Sequence, residues 1–336
     1  MHDDHAAHNT NGIPADVPPY AELIVTSNFT FLNGASHPEE FAEHAAHLGY
    51  RAIALTDTNT LSGIVRGHLG AVKHRIPFIA GCRLRFLEPV TATVCVYPTT
   101  LAAYGGLCQL LTIGKRRAPK GDCHLTLQDL FEYQEDLLAI IDPPVQCDQM
   151  LIDTVTALRQ QFTDDRLSIA AMRRYRQDDR TILDQLRHLS DHTRVPLVAV
   201  NNAHYHHADR RALQDVLTCI RLGCTLHDAG RHLHPNAERH LKTPTMMHRL
   251  FAHDPAALAR TVEIAERAST FSLDQLRYEY PDEICPDGRT PIEYLRQLAW
   301  CGAAERFPQG VNERLRAQLD HELSLIDELN YAPYFL

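Results

Sequence analysis

Positive charge is in short supply in this chain of 336 residues: 33 Lys and Arg stand against 42 Asp and Glu, a formal net charge of −9. A domain that grips nucleic acid unaided carries a basic surface, so tight DNA binding by this chain alone is not expected. Long apolar runs are missing too. None approaches the ~20 residues a membrane span needs, which removes a membrane partner. The nine cysteines are an odd number without a CxxC pair. They sit in apolar contexts such as Cys95 and Cys219, the pattern of reduced, buried thiols in a cytoplasmic protein. No GxGxxG or Walker-type loop follows the first apolar run, which weakens a dinucleotide or nucleoside-triphosphate reading. A GxSxG elbow, an HExxH helix and a DxD pair at a strand end are likewise absent. The first 19 residues hold Asp and His but neither Lys nor Arg, and they lack an apolar core. They read as a disordered tail and not as a signal peptide.

What is present is a regular alternation. Short β-type runs fall at 22–26, 51–55, 77–82, 92–96, 137–141, 166–170 and 196–200, and helical patterns follow most of them. These lie near 37–48, 60–74, 100–113, 146–162, 178–192 and 208–222. The first helix carries a capping-box pattern, Ser36 with Glu39 three residues on. Pro38 sits in its first turn, Phe41, Ala45 and Leu48 share one face, and Gly49 ends it. Seven repeats with near-continuous apolar strands imply a parallel sheet covered by helices, as an open doubly wound sheet or a closed barrel. In a barrel the chemistry gathers at the C-terminal strand ends: 26–36, 56–60, 82–88, 142–145, 171–176 and 201–207. Beyond about 225 the character shifts. A His/Arg/Gly-rich stretch leads to helices near 245–252 and 254–269. Pro281, Pro286, Gly288 and Pro291 mark a linker, and helices near 290–306 and 311–329 follow it. The closing Tyr334-Phe335-Leu336 suggests a chain cut just before a strand.

The strand ends are polar but poor in reactive groups. The first offers Thr26, Ser27, Asn28, Thr30 and Asn33, with no carboxylate and no imidazole before His37. At the second, Asp57 reads equally as a ligand or base and as a turn or helix cap. At the third, Arg83 binds an anion or pairs with a surface acid. At the last, His204 and His206 have the HxH spacing that can bring two imidazoles to one metal, yet no Asp or Glu lies close by. The alternative there is a polar loop capping the next helix. Histidine is abundant at 21 residues, but three lie in the tail and several on helix surfaces, so abundance is no metal argument. Lys115, Arg116, Arg117 and Lys120 form a local cationic run, read either as a solvated loop or as a phosphate contact.

These segments also carry a family resemblance. Ser27-Asn28-Phe29-Thr30-Phe31-Leu32-Asn33-Gly34-Ala35-Ser36-His37-Pro38, Ala54-Leu55-Thr56-Asp57, Leu61-Ser62-Gly63-Ile64-Val65 and Gly81-Cys82-Arg83-Leu84 resemble the N-terminal PHP (polymerase and histidinol phosphatase) domain of bacterial C-family DNA polymerases. Arg117 to Leu127, Leu213 to Arg221 and the closing Glu322 to Leu336 extend the likeness, in order, over nearly the whole chain from Tyr20 onward. The nearest branch is the error-prone, damage-associated one. The resemblance implies a distorted seven-stranded (β/α) PHP barrel followed by a helical segment leading into the polymerase palm. It divides the chain into a tail at 1–19, a barrel core at 20–225, an extension and linker at 226–288, and the start of the palm region at 289–336.

The departures from the family pattern are expected to decide the chemistry. Where active PHP domains place the first HxH, this chain has Ile24 and Thr26, and the next aspartate is Asn33. The histidine after the Thr-Asp pair is Thr58, the glutamate of the third strand end is Arg83, and the late aspartate is Asn202, while His204 remains. Asp57 and one histidine cannot hold the metal cluster that a PHP phosphoesterase needs to activate water, and Arg83 would repel a divalent cation. The leading expectation is therefore a structural scaffold within an error-prone DNA polymerase, with no catalytic residue in this segment. Its partners would be the polymerase core, DNA through the whole enzyme, and DNA-repair proteins. No cofactor is assigned to the segment itself, and Mg²⁺ belongs to the palm aspartates of the whole enzyme. The alternatives are a metal-dependent phosphoesterase or 3′–5′ exonuclease with a remodelled site, and a free interaction module in DNA repair.

Overall fold

In the computed structural model, residues 18–144, 147–277 and 285–336 are described; residues 1–17 of the expected tail and Pro281 of the expected linker lie outside them. Among the described residues, eight strands form two sheets. β1 (Ala21–Glu22), β2 (Ala52–Leu55) and β3 (Phe78–Ala80) make a parallel three-stranded sheet in that order. β4 (Cys82–Leu84), β5 (Thr93–Pro98), β6 (Leu137–Asp142), β7 (Leu167–Ala171) and β8 (Leu197–Ala199) make a five-stranded sheet, again in sequence order. Isolated parallel bridges join the two: Thr58 with Arg83, and Val25 with Ala203.

Three expectations for the strands need correction. The apolar run at 77–82 is not one strand. Its chain passes from β3 to β4 at Gly81, where an added Cβ would lie 2.9 Å from the Tyr97 ring and 3.0 Å from the Thr56 methyl. The sheet is also not all parallel, because β5 runs antiparallel to both β4 and β6. The connection from β4 to β5 is too short for the crossover helix that parallel pairing requires. The first strand is shorter than expected, regular pairing ending at Glu22 and resuming as the bridge at Val25.

Helices α1 (Pro38–His47), α2 (Ile64–His74), α3 (Leu101–Arg117), α4 (Leu127–Glu132), α5 (Gln149–Gln161) and α6 (Asp179–Thr193) cover the sheets, followed by α7 (Arg211–Leu222), α8 (Leu226–Ala229), α9 (Pro244–Leu250) and α10 (Pro255–Ala268). The cap of α1 is shifted by one residue from the expected box: His37 is the N-cap, and its amide donates to Glu40 Oε2 at 2.8 Å. Ser36 is drawn instead to His206, whose Nδ1 stands 2.8 Å from its hydroxyl. Phe41, Ala42 and Ala45 bury one face of α1, and Gly49, at φ 76°, turns the chain out. Removing a side chain as large as Phe41 from water contributes about 2 kcal/mol. A second core lies under α3, α5 and α6, where Leu107, Leu110, Val155, Leu158 and Leu186 meet Val94, Ile141 and Ile169.

The chain divides into two compact units, Met1–Gln275 and Leu276–Leu336. Helix α10 belongs to the first, where Ile264, Ala265 and Ala268 pack with Leu23, Ile140 and Val198. The second unit holds α11 (Pro291–Arg306), α12 (Glu313–Glu328) and α13 (Ala332–Phe335). Within it, the Arg316 guanidinium lies 5.2 Å from the centre of the Trp300 ring. Among the described residues no helix is long and apolar enough to cross a membrane.

Candidate functional site

The C-terminal ends of β6 and β7, the loops after β1, β2 and β8, and the start of β5 open onto a cavity of about 510 Å³ in the first unit. Of the residues singled out from the sequence, Thr26, Thr30, Asn33, Thr58, Arg83, Asn202 and His204 line it, and Ile24, Asp57 and His206 do not. The Ile24 side chain is fully buried in the core beside Leu23 and Val198.

Asp57 has structural partners. It is 1% exposed and accepts from Ser27 N and Oγ (2.8 and 2.7 Å) and from Thr30 N and Oγ1 (3.2 and 2.7 Å). The Thr30 hydroxyl in turn accepts from Thr58 N at 2.9 Å. One carboxylate thus ties the loop after β1 to the end of β2. Burial pushes its pKa up, against the pull of these donors.

Asn202 sits at φ 52°, a left-handed backbone that Asn tolerates better than most residues. Its amide donates to Asp142 at 3.1 Å and its carbonyl accepts from Arg83 at 2.8 Å, so a neutral side chain bridges an acid and a base. His204 is engaged on both nitrogens, Nδ1 at 3.0 Å from the Asn33 carbonyl and Nε2 against the Arg239 guanidinium. Burial, then the Arg239 charge, holds its pKa well below that of a free histidine. His206 faces elsewhere, toward Ser36 and the His44 ring 5.6 Å away. The HxH spacing therefore does not deliver two imidazoles to one point.

The metal cluster implied by the resemblance does not fit these donors. A guanidinium, two amides, hydroxyls and an imidazole already bound to arginine are a poor ligand set for a divalent cation. Among the described residues, no group of three or more His, Cys, Asp or Glu side chains converges as a ligand set.

Sequence reading missed most of the charge in the cavity. Arg85, Arg174, Arg176, Arg221 and Arg239 join Arg83 there, with Asp142 and Asp179 as the acids. Arg85, Asp142, Arg174 and Arg176 do lie in strand-end windows, the signal that could have found them; Arg221 and Arg239 lie outside every such window. The cationic run at 115–120 is not simply a loop. Lys115, Arg116 and Arg117 form the last turn of α3, where positive charge favours the helix end. Arg117 is held by Asp129 through two bonds of 2.6 and 2.8 Å, leaving Lys115, Arg116 and Lys120 exposed.

Comparison with known proteins agrees with this frame. The PHP domain model matches residues 22–188, and the bacterial DNA polymerase III alpha NTPase domain model matches residues 293–336. The chain thus carries a PHP domain and a DNA polymerase III alpha segment. It is 44% identical over 319 residues to an error-prone DNA polymerase of Caulobacter vibrioides, covering 95% of this chain and 29% of that protein. To an error-prone DNA polymerase of a Bradyrhizobium species it is 44% identical over 327 residues, covering 95% and 28%. The chain spans less than a third of the length of these relatives. Among solved structures it is similar to an amidohydrolase from Chromobacterium violaceum, at 16% identity and a TM-score of 0.40, covering 55% of this chain and 87% of that one.

Proposed function

We propose that this chain is the PHP-containing portion of an error-prone, damage-tolerant DNA-directed DNA polymerase, and that it acts there as a structural scaffold without hydrolytic chemistry of its own. The observation that carries the reading is the 44% identity sustained over 95% of the chain to error-prone DNA polymerases. It is joined to a site in which Arg83, Asn202 and Thr58 stand where metal ligands would be. On this reading the two sheets are one distorted barrel, supported by the Val25–Ala203 and Thr58–Arg83 bridges. The partners are the polymerase core, DNA bound by the whole enzyme, and DNA-repair proteins, in the cytoplasm. Mg²⁺ would act in a palm outside this segment, and residues 289–336 would be the approach to that palm.

Metal analysis by mass spectrometry on chelator-washed protein tests the scaffold role. Substoichiometric metal is expected, together with no release of nucleotides from a DNA 3′ end. Two or three tightly bound Zn²⁺ or Mn²⁺ ions would overturn the role in favour of a metal-dependent phosphoesterase.

A further inference from the structure

The cavity concentrates positive charge in a protein that is acidic as a whole. Six arginines face it against two aspartates, an excess of four positive charges. The two acids are already engaged: Asp142 accepts from Asn202 and stands 3.8 Å from Arg83, and Asp179 accepts from the Arg174 amide at 2.7 Å. Much of the donor capacity is unspent. The Nε atoms of Arg83 and Arg174 are buried without a hydrogen-bond partner, as is the Thr26 hydroxyl. Arg83 is 9% exposed and Thr26 1%. Among the described residues, the Arg174 guanidinium hydrogen-bonds the Met172 sulfur and no carboxylate or carbonyl. Arg239 is pressed by its own burial and by the neighbouring Arg174 charge, which together push its pKa far down.

Gathering like charges away from water is costly unless a counter-charge joins them. Buried donors without acceptors are costly as well. Both costs are relieved by one ligand type: a compact anion with several acceptor oxygens, matched to guanidinium forks. We infer that this cavity binds, without a metal ion, the phosphate dianion of a small phosphorylated ligand, with Arg83, Arg174 and Arg239 as its inner donors and Arg85, Arg176 and Arg221 at the rim. The volume exceeds what one phosphate fills, and Pro143, Pro144, Met172 and Ile182 supply an apolar wall for an attached organic group. The positive charge that a metal cluster would provide is thus provided by side chains, which hold a phosphate but offer no activated water. The polymerase reading neither requires nor supplies this site.

The test is calorimetric titration and thermal denaturation of the whole chain in excess chelator, with inorganic phosphate and with phenyl phosphate. Sodium chloride at matched ionic strength is the control. Phosphate is expected to raise the melting temperature where chloride does not. Tighter binding of the phenyl ester would mark an organic phosphate as the ligand, and equal or weaker binding would mark free phosphate. Arg174→Gln is the key variant, since its guanidinium holds no carboxylate or carbonyl in the structure. It should leave melting without phosphate unchanged or raised, because a repelled charge is gone, and weaken phosphate binding at least about tenfold. Arg83→Gln should weaken binding similarly. Stabilisation no greater than that by chloride would overturn the site. So would binding that needs an added divalent cation, or binding undiminished in both variants.

Discussion

Asp57 Oδ2 accepts the Ser27 hydroxyl at 2.7 Å, and its other oxygen accepts the Ser27 amide at 2.8 Å. The residue best placed in the sequence to be a ligand or base is thereby committed to holding the loop after β1. Asp57→Ala would leave the Ser27 amide and two hydroxyls without their acceptor in a buried place, the Thr30 amide keeping the Ser27 carbonyl at 3.0 Å, a cost of about 3 kcal/mol. Asp57→Asn should cost less, because an amide oxygen still accepts from part of the set. Urea denaturation measures both. A hydrolytic activity lost in Asp57→Ala with its stability unchanged would contradict the structural role.

The same loop constrains Gly34. A Cβ built there would lie 2.1 Å from the Ser27 carbonyl oxygen and 2.2 Å from its carbon, and backbone cannot step aside as a flexible side chain can. Gly34→Ala is expected to destabilise by more than about 2 kcal/mol through forced backbone movement. Urea denaturation would check it, and a loss below half that value would mean that the loop relaxes freely.

Much of the scaffold was legible in the sequence because apolar β runs separated by amphipathic stretches leave few ways to bury their faces. Strands and helices fall within a few residues of the expected spans. The direction of β5 was hidden, since an apolar strand reads the same both ways and only its short link to β4 betrays the reversal. Three further elements, α4, α8 and α13, were too short to show a period, and α13 lies where the closing Tyr334-Phe335-Leu336 had suggested the approach to a strand. At the site, strand-end position predicted that Thr26, Thr58, Arg83, Asn202 and His204 share a cavity. It could not tell that Ile24 packs in the core, or that Asp57 faces Ser27 and Thr30. Arg221 and Arg239 reach the cavity through tertiary folding alone, which no local pattern encodes.

Stability should fall as the solution becomes mildly acidic. Burial, then the nearby His206, His207, His47 and His240, lowers the His44 pKa from 6.5 to about 4. Burial and the Arg239 and Arg174 charges take His234 to about 3. Free histidines in the unfolded chain take up protons from about pH 6.5 downward while these two resist. Their contribution is therefore whole above that pH and lost as pH falls through the folded values. Glu22 and Asp57, whose pKa values burial raises, act in the opposite sense. His204, His206 and His240 are also shifted down, so the histidines prevail. Melting temperature should drop by several degrees from pH 7 to pH 5, and His44→Gln should flatten that slope. A flat profile would show that the cluster does not couple to folding.

The first compact unit should stand by itself only if α9 and α10 are kept. Arg260 in α10 is 7% exposed, and its Nε donates to Ser168 on β7 at 2.8 Å while its terminal nitrogens grip Asp165 at 2.8 and 2.9 Å. Lys242 is 1% exposed and reaches Asn201 at 2.8 Å, beside the end of β8. Leu241, Met247 and Phe251 pack in the core with Tyr20, Tyr50 and Ile53. A chain ended after Thr225 would expose this apolar surface and leave Ser168 and Asn201 without these partners. It should show no cooperative melting by circular dichroism. A chain ended after Gln275 keeps every one of these contacts and should melt in a single transition. Cooperative melting of the shorter chain would mean that residues up to 225 carry a sufficient core and that α10 is an addition to it.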